Sequence, residues 1–238
     1  QPALQTAGNN VARFDHNPTT GESLGLLIEE SRTNLNSNSE NFSSWAEQTT
    51  SVSATSRYRQ DNIIIAPDGT LTGTKISTST SSDIQRIYKV FNLAGNTIHT
   101  FSLYVKSDDY NISIENSQTA QYQRIRYDLD NITSTDLNGN AENHGIEDIG
   151  NGWRRIFCSA ETSSGTTNNF TPQIRLETKS GTITTEFAGD GYSGAYIWGV
   201  QVEEATFPTS YIKTTGSQVT RSKDEGNIDV DNWFNQNE

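Results

Sequence analysis

The feature that most constrains this chain is a recurring period of two, one apolar residue followed by one polar residue, with helical periodicity almost absent. In "HTFSLYVKS", Phe101, Leu103 and Val105 alternate with Thr100, Ser102, Tyr104 and Lys106. In "NISIENS", Ile112 and Ile114 alternate with Ser113 and Glu115. "QRIRYDL" sets Ile125, Tyr127 and Leu129 against Arg124, Arg126 and Asp128, and "PQIRLET" sets Ile174 and Leu176 against Gln173, Arg175 and Glu177. "AYIWGVQVEE" is apolar almost without a break, as strands covered on both faces are. Turn signals separate these segments: "PDG" at Pro67–Gly69, "LAGN" at Leu93–Asn96, "LNGN" at Leu137–Asn140, "GNG" at Gly150–Gly152 and "SSG" at Ser163–Gly165. Many short strands with no helical intervals predict an all-β, antiparallel β-sandwich rather than a parallel α/β sheet.

The sandwich is expected over residues 33–212. Residues 1–32 read as an extended N-terminal arm whose only apolar run is Leu24–Ile28, with Leu26 and Ile28 on one face docked against the sandwich. Residues 213–238 read as a polar C-terminal linker towards a further domain, with Trp233 and Phe234 in need of a partner. The run at Leu24–Ile28 is far shorter than the ~20 residues of a bilayer span or the ~7–15 of a secretory core, so no membrane insertion is expected.

Charge narrows the function. With 17 basic against 29 acidic residues the net charge is −12, and a chain that binds phosphate backbones needs a basic footprint, so nucleic acid is not an expected partner. Apolar residues make up 32 % of the chain, below the roughly 45–50 % of average soluble domains, which suits strands with polar outer faces. The single cysteine, Cys158, leaves no intrachain disulfide to form and reads as a small buried residue within "WRRIFCSAE".

No cofactor and no catalytic residue is expected. His16, His99 and His144 are scattered, without an HxH or HExxH pair, and there is no cysteine cluster to hold zinc. Neither a phosphate-cradling glycine loop nor a Gly-x-Ser-x-Gly elbow is present. The carboxylate neighbours Glu29-Glu30, Asp108-Asp109, Glu147-Asp148 and Glu203-Glu204 point to opposite faces if they lie on strands, so none is a glycosidase dyad by itself. A dyad from distant positions, Glu115 with Asp128 or Glu177, stays open.

Sugar recognition asks for planar amide, carboxylate or guanidinium groups together with an aromatic face. With the apolar members of three strands inside, the opposite faces carry Tyr104 and Lys106, then Arg124, Arg126 and Asp128, then Gln173, Arg175 and Glu177. If those strands share a sheet they form a polar, arginine-rich platform with Tyr122 at its edge. Its ligand would be an acidic or hydroxyl-rich glycan, since arginine binds carboxylates through two parallel bonds. A solvated sheet face, or one packed on a neighbouring subunit, is the alternative. Trp45, Trp153 and Trp198 read as core, with their indole N–H groups at sheet edges.

Two resemblances follow from particular strings. "NLNSNSENFSSW", with Asn34, Leu35, Asn38, Phe42 and Trp45 in place, then "NGWRRIFCSAET" and the apolar closing strand, resemble jelly-roll carbohydrate-binding modules. Related modules hold a structural calcium through an Asp pair in the closing strand. Here Trp198-Gly199 stands at that place and only Asn38, Glu40 and backbone carbonyls remain, so no metal is expected. "ARFDHNPTTGESLGLLIEESRTNL", "IEDIGNGWRRIFCSAET" and "YIWGVQVEEATFPTSYIKTTGSQVTRSKD" resemble a family of bacteriophage structural proteins of the tail or tail-fibre type. That resemblance implies a non-enzymatic protein of the virion, partnered by other virion proteins and by copies of itself, as a trimer, and adsorbing to host-surface polysaccharide. A purely structural head or tail protein and a polysaccharide-degrading glycosidase module are the alternatives.

Overall fold

The protein is described from a computed structural model, over residues 4–8, 11–18, 20–48, 58–117, 119–167, 169–180 and 186–225. Among these residues there are sixteen strands and no helix. They are β1 (Phe14–His16), β2 (Ser23–Leu26), β3 (Arg32–Asn34), β4 (Ala46–Gln48), β5 (Arg59–Ile64), β6 (Gly73–Ser77), β7 (Arg86–Tyr88) and β8 (Ile98–Asp108). Then follow β9 (Asn111–Asn116), β10 (Gln123–Asp128), β11 (Thr133–Asp136), β12 (Asn143–Gly150), β13 (Trp153–Glu161), β14 (Pro172–Glu177), β15 (Gly194–Glu204) and β16 (Val219–Arg221).

Two six-stranded antiparallel sheets face each other. The front sheet has the order β11-β10-β9-β14-β7-β4 and the back sheet β12-β13-β8-β15-β6-β5. From β6 to β9 the chain changes sheet at every connection, and it does so again from β13 to β15. The central quartets, β6-β15-β8-β13 and β7-β14-β9-β10, therefore have the strand order of a jelly roll. The expected all-β antiparallel sandwich is the observed fold.

The period-two pattern sorts the side chains as expected. Ile87, Ile174, Ile114 and Ile125 stand in register across the front sheet and all point into the core. Leu103 lies opposite Ile156, and Val105 beside Ile197, on the inner face of the back sheet. Each fully buried aliphatic side chain of this kind contributes about 1.5–3 kcal/mol through apolar area removed from water. Cys158 belongs to the same core.

The closing strand β15 needs a further device, because it supplies apolar side chains to both faces. A bulge between Trp198 and Gln201 inserts the extra residue, so that Ile197, Val200 and Val202 all face inward while Trp198 faces out. Gly199 sits in the bulge at φ 65°, and a β-carbon there would meet Tyr104 Cδ2 at 2.9 Å. Outside the back sheet, Tyr104, Trp153, Trp198 and Ala66 form a second apolar cluster, with Tyr211, Ile64 and Leu4 packed on it. The indole of Trp153 donates to Ile65 O at 3.2 Å and that of Trp198 to Thr72 Oγ1 at 2.9 Å. Trp45 packs on Phe42 and Phe101, but its indole N–H has no partner among the described residues.

The ends depart from expectation. The stretch after Ile212, expected as a linker, is tied to the body as far as Asp224. Asn38 bridges to Thr215, β16 pairs with β3, and Asp224 accepts from Arg13 and from Glu29 N. Strand β3 otherwise presents an open edge, and β16 fills it. Trp233 and Phe234 lie outside the described residues. The arm forms the hairpin β1–β2, with Phe14 opposite Leu26. Leu26 and Ile28 do not dock on the sandwich, because the hairpin pairs only with itself; they are 54 % and 63 % exposed. The arm is held instead by Leu4, whose N–H donates to Pro67 O at 2.9 Å, and at its base, where Arg13 binds Glu29 and Asp224.

Candidate functional site

The outer face of the front sheet is a polar array set by strand register. One row across β7, β14, β9 and β10 reads Tyr88, Gln173, Glu115, Arg124; the next reads Arg86, Arg175, Ser113, Arg126. Glu177 lies one row further on, beside Asn111. Because Ile87, Ile114, Ile125 and Ile174 turn inward, alternation turns these residues outward.

The array is densely bonded. The Arg175 guanidinium donates to the Glu115 carboxylate, and Arg86 Nη1 lies 3.7 Å from the other Glu115 oxygen while also donating to Gln173 Oε1. Arg124 and the Ser113 hydroxyl both donate to Glu177 Oε1. Gln173 Nε2 donates to Ser117 Oγ at 3.1 Å, and Arg126 Nη2 to the carbonyl of Thr178 at 3.3 Å. The Arg86 guanidinium lies 6.0 Å from the ring centre of Tyr88.

Burial and charge shape the electrostatics. Arg124, Arg175, Gln173, Glu115 and Glu177 are all buried. Arg86 and Arg175 share the Glu115 carboxylate, and Arg124 pairs with Glu177. Burial, joined by the repulsion of Arg175, lowers the pKa of Arg86, against the pull of Glu115. Burial and then the Glu115 carboxylate raise that of the Tyr122 phenol. Arg124 Nε and Glu177 Oε2 are buried without a hydrogen-bond partner among the described residues.

Of the expected platform, Arg124, Arg126, Gln173, Arg175 and Glu177 come together, with Tyr122 at the rim and 42 % exposed. Asp128 lies at the far end of β10, bound to Asn131 and the amide of Asp130. Tyr104 and Lys106 are not part of this face, because the chain changes sheet after β7 and again after β8, which leaves β8 in the back sheet. Tyr104 is buried among Trp198, Tyr211 and Arg155. Lys106 Nζ donates to Asn151 O at 2.9 Å. Arg86 and Tyr88 were missed, since "RIY" is too short a strand to reveal its period.

The other candidates fall elsewhere. The backbones of Glu115 and Glu177 stand two rows apart on the same side of the sheet, and the Glu177 carboxylate reaches back to Ser113 and Arg124. At the place expected for a calcium, the Glu40 carboxylate accepts from the Tyr211 hydroxyl at 3.0 Å and from Lys213 Nζ at 2.9 Å. Among the described residues no group of three His, Cys, Asp or Glu side chains comes together to hold a metal. A cleft of about 480 Å³, lined by Asn96, Glu161, Glu204 and Thr206 among others, opens at one end of the sandwich, where none of the arginines of the front face lines it.

The array is a largely buried polar layer on the outer side of the front sheet, with Arg126 half-buried and Tyr122 exposed at its rim. No known protein family and no curated protein matches the chain. Among solved structures, it is similar to the CBM22-1 and GH10 modules of endo-1,4-β-D-xylanase 10B from Clostridium thermocellum, crystallised with xylohexaose. The two share 15 % identity over 78 % of this chain at a TM-score of 0.41, and the match spans 30 % of the xylanase chain.

Proposed function

We propose that this is a non-catalytic virion protein of a bacteriophage whose jelly roll binds host-surface glycan through the outer face of the front sheet. The observation that carries the binding reading is the register that sets Arg124, Arg126, Gln173, Arg175 and Glu177 side by side with Arg86 and Tyr88. Guanidinium, amide and carboxylate groups in one plane match the hydroxyl pattern of a sugar, and Tyr122 at the rim offers a ring to stack on its C–H surface. The virion assignment rests on the likeness of three sequence strings to phage tail proteins. Labelled protein on a glycan array and on host cells tests the reading. Saturable binding that falls in Arg126→Ala supports it, and absence of binding to both overturns it.

A purely structural role in the virion is favoured by a different observation. Phe14, Leu24 and Leu26 are apolar residues of the β1–β2 hairpin, each more than half exposed, with Phe14 opposite Leu26. A two-stranded hairpin is only marginally stable in water, and exposed apolar residues of this kind fit packing against other virion proteins or copies of the same chain. In that reading the arginine face is covered in the assembled particle, which protection from labelling of intact virions would reveal.

A further inference from the structure

We propose that one end of the sandwich carries a second binding site, a groove that takes a glycan without acidic groups. It lies apart from the front-sheet face and is built from several chain segments that register and hydrogen bonds bring together. In the back sheet, Glu161 at the end of β13 stands opposite Ile98, and Glu204 at the end of β15 stands opposite His99, so the two glutamates flank β8. Ala120 N donates to Glu161 O at 2.9 Å, which sets the β9–β10 connection beside β13. Glu142 N donates to Ser159 O at 3.0 Å, which ties the β11–β12 connection to the same strand. Thr206 O accepts from Ser159 Oγ at 3.0 Å and from Asn143 Nδ2 at 2.9 Å, which fixes the turn after β15.

Two clefts open between these segments, and Glu161 lines both. The cleft on the β8 side, of about 480 Å³, sets Ile98 and Ala205 beside Asn96, Thr97 and Thr206. The one on the β12 side, of about 190 Å³, is walled by Gln121, Asn140 and Glu142. The larger lies within the ~300–1,000 Å³ of small-ligand sites, and the second extends it past Glu161, which gives length for a chain of sugars. Unlike the bonded groups of the front-sheet face, these side chains are open to a ligand. Asn96, Gln121, Glu142, Glu161 and Glu204 are exposed, and among the described residues their side chains make no hydrogen bond or ion pair. Amides and hydroxyls donate and accept, whereas a carboxylate only accepts, and it does so strongly from a hydroxyl. Among the described residues no lysine, arginine or histidine lines either cleft. Sugar hydroxyls supply the donors that such a lining asks for, and Ile98 and Ala205 offer apolar surface to the C–H faces. An acidic glycan meets unpaired carboxylates on a chain of net charge −12 and is repelled.

A glycan array printed with neutral and uronic-acid-bearing glycans, followed by calorimetry on the hits, tests the groove. Neutral glycans are expected among the hits, and their binding is expected to weaken at least about tenfold in Glu161→Ala and in Glu204→Ala, through loss of a hydrogen bond to a charged acceptor. Both variants should keep the wild-type unfolding midpoint, because the side chains they remove are exposed. Hits that weaken in Arg126→Ala and are untouched by Glu161→Ala and Glu204→Ala overturn the groove and leave the front-sheet reading standing. Hits confined to acid-bearing glycans overturn the class of ligand. Absence of any hit overturns both the groove and the front-sheet reading.

Discussion

Arg175 on β14 and Arg86 on β7 stand directly opposite each other, and the carboxylate of Glu115 on β9 reaches both. The strand order makes this so: β14 lies between β9 and β7, and register puts Glu115 one row from the arginine pair. Removal of one member leaves buried charge behind, which costs far more than the net worth of the intact group.

Glu115→Gln is therefore expected to destabilise the fold by about 3–5 kcal/mol, because buried Arg175 and half-buried Arg86 lose the anion that lies between them. Replacing Glu115 and Arg175 together with leucine is expected to cost clearly less. Urea unfolding at neutral pH measures both, and a Glu115→Gln effect within about 0.5 kcal/mol of wild type would contradict the buried array.

The alkaline limb of the stability profile follows from groups buried in the core. Burial pushes the Cys158 thiol up to about 12 from an ordinary value of 9.0, and burial likewise raises the Tyr127 and Tyr211 phenols. Above about pH 9 the unfolded chain releases protons that the folded chain keeps, so stability is full below that point and falls as pH rises towards 12. Unfolding midpoints at pH 8, 10 and 11 should decline in that order. Thiol labelling at pH 8 should be absent in buffer and complete in denaturant.

At the arm, Glu29 accepts from Ser210 N at 2.7 Å, Arg13 at 2.8 Å and Arg221 at 2.8 Å. Burial alone would raise its pKa, but the Ser210 bonds and the two arginines outweigh it and hold the carboxyl below its ordinary range. Its contribution is thus present above the usual carboxylate range and is lost as pH falls through the depressed value. Glu29→Gln should speed hydrogen exchange at the Leu27 and Asp224 amides while Ile114 stays protected, since the change opens the arm and not the sandwich. Equal loss of protection at Ile114 would show that the arm and core unfold as one.

Gly199→Ala should cost about 1–3 kcal/mol, from left-handed backbone and from a β-carbon 2.9 Å from the Tyr104 ring. Thermal unfolding reads the loss directly. A Tyr104→Leu background should recover part of it if close approach to the ring is the cause.

Paired Leu24→Ser and Leu26→Ser changes should leave the unfolding free energy within about 0.5 kcal/mol of wild type, because these side chains are already exposed. The same variant should bind less of an apolar dye and sediment with less self-association. A large loss of stability would mean that these side chains are buried in solution.

What the amino-acid sequence by itself determined was the sorting of side chains within each strand. Ile112 and Ile114, Ile125 and Tyr127, and Ile174 and Leu176 were assigned inward from alternation alone, and they are. The same reasoning placed Arg124 with Arg126, and Gln173 with Arg175 and Glu177, because side-chain direction in a strand depends only on neighbouring residues. Tertiary structure decided which strands stand next to one another. Tyr104 and Lys106 alternate as cleanly as Arg124 and Arg126, yet the crossovers carry β8 to the back sheet, and a second apolar layer covers Tyr104. Arg86 and Tyr88 join the array from a three-residue strand, too short to show a period. Leu26 and Ile28 looked equally ready to dock, but no strand of the sandwich pairs with their hairpin. Alternation is local and legible along the chain, whereas strand neighbours are set by closing long loops, and no short stretch of residues encodes that choice.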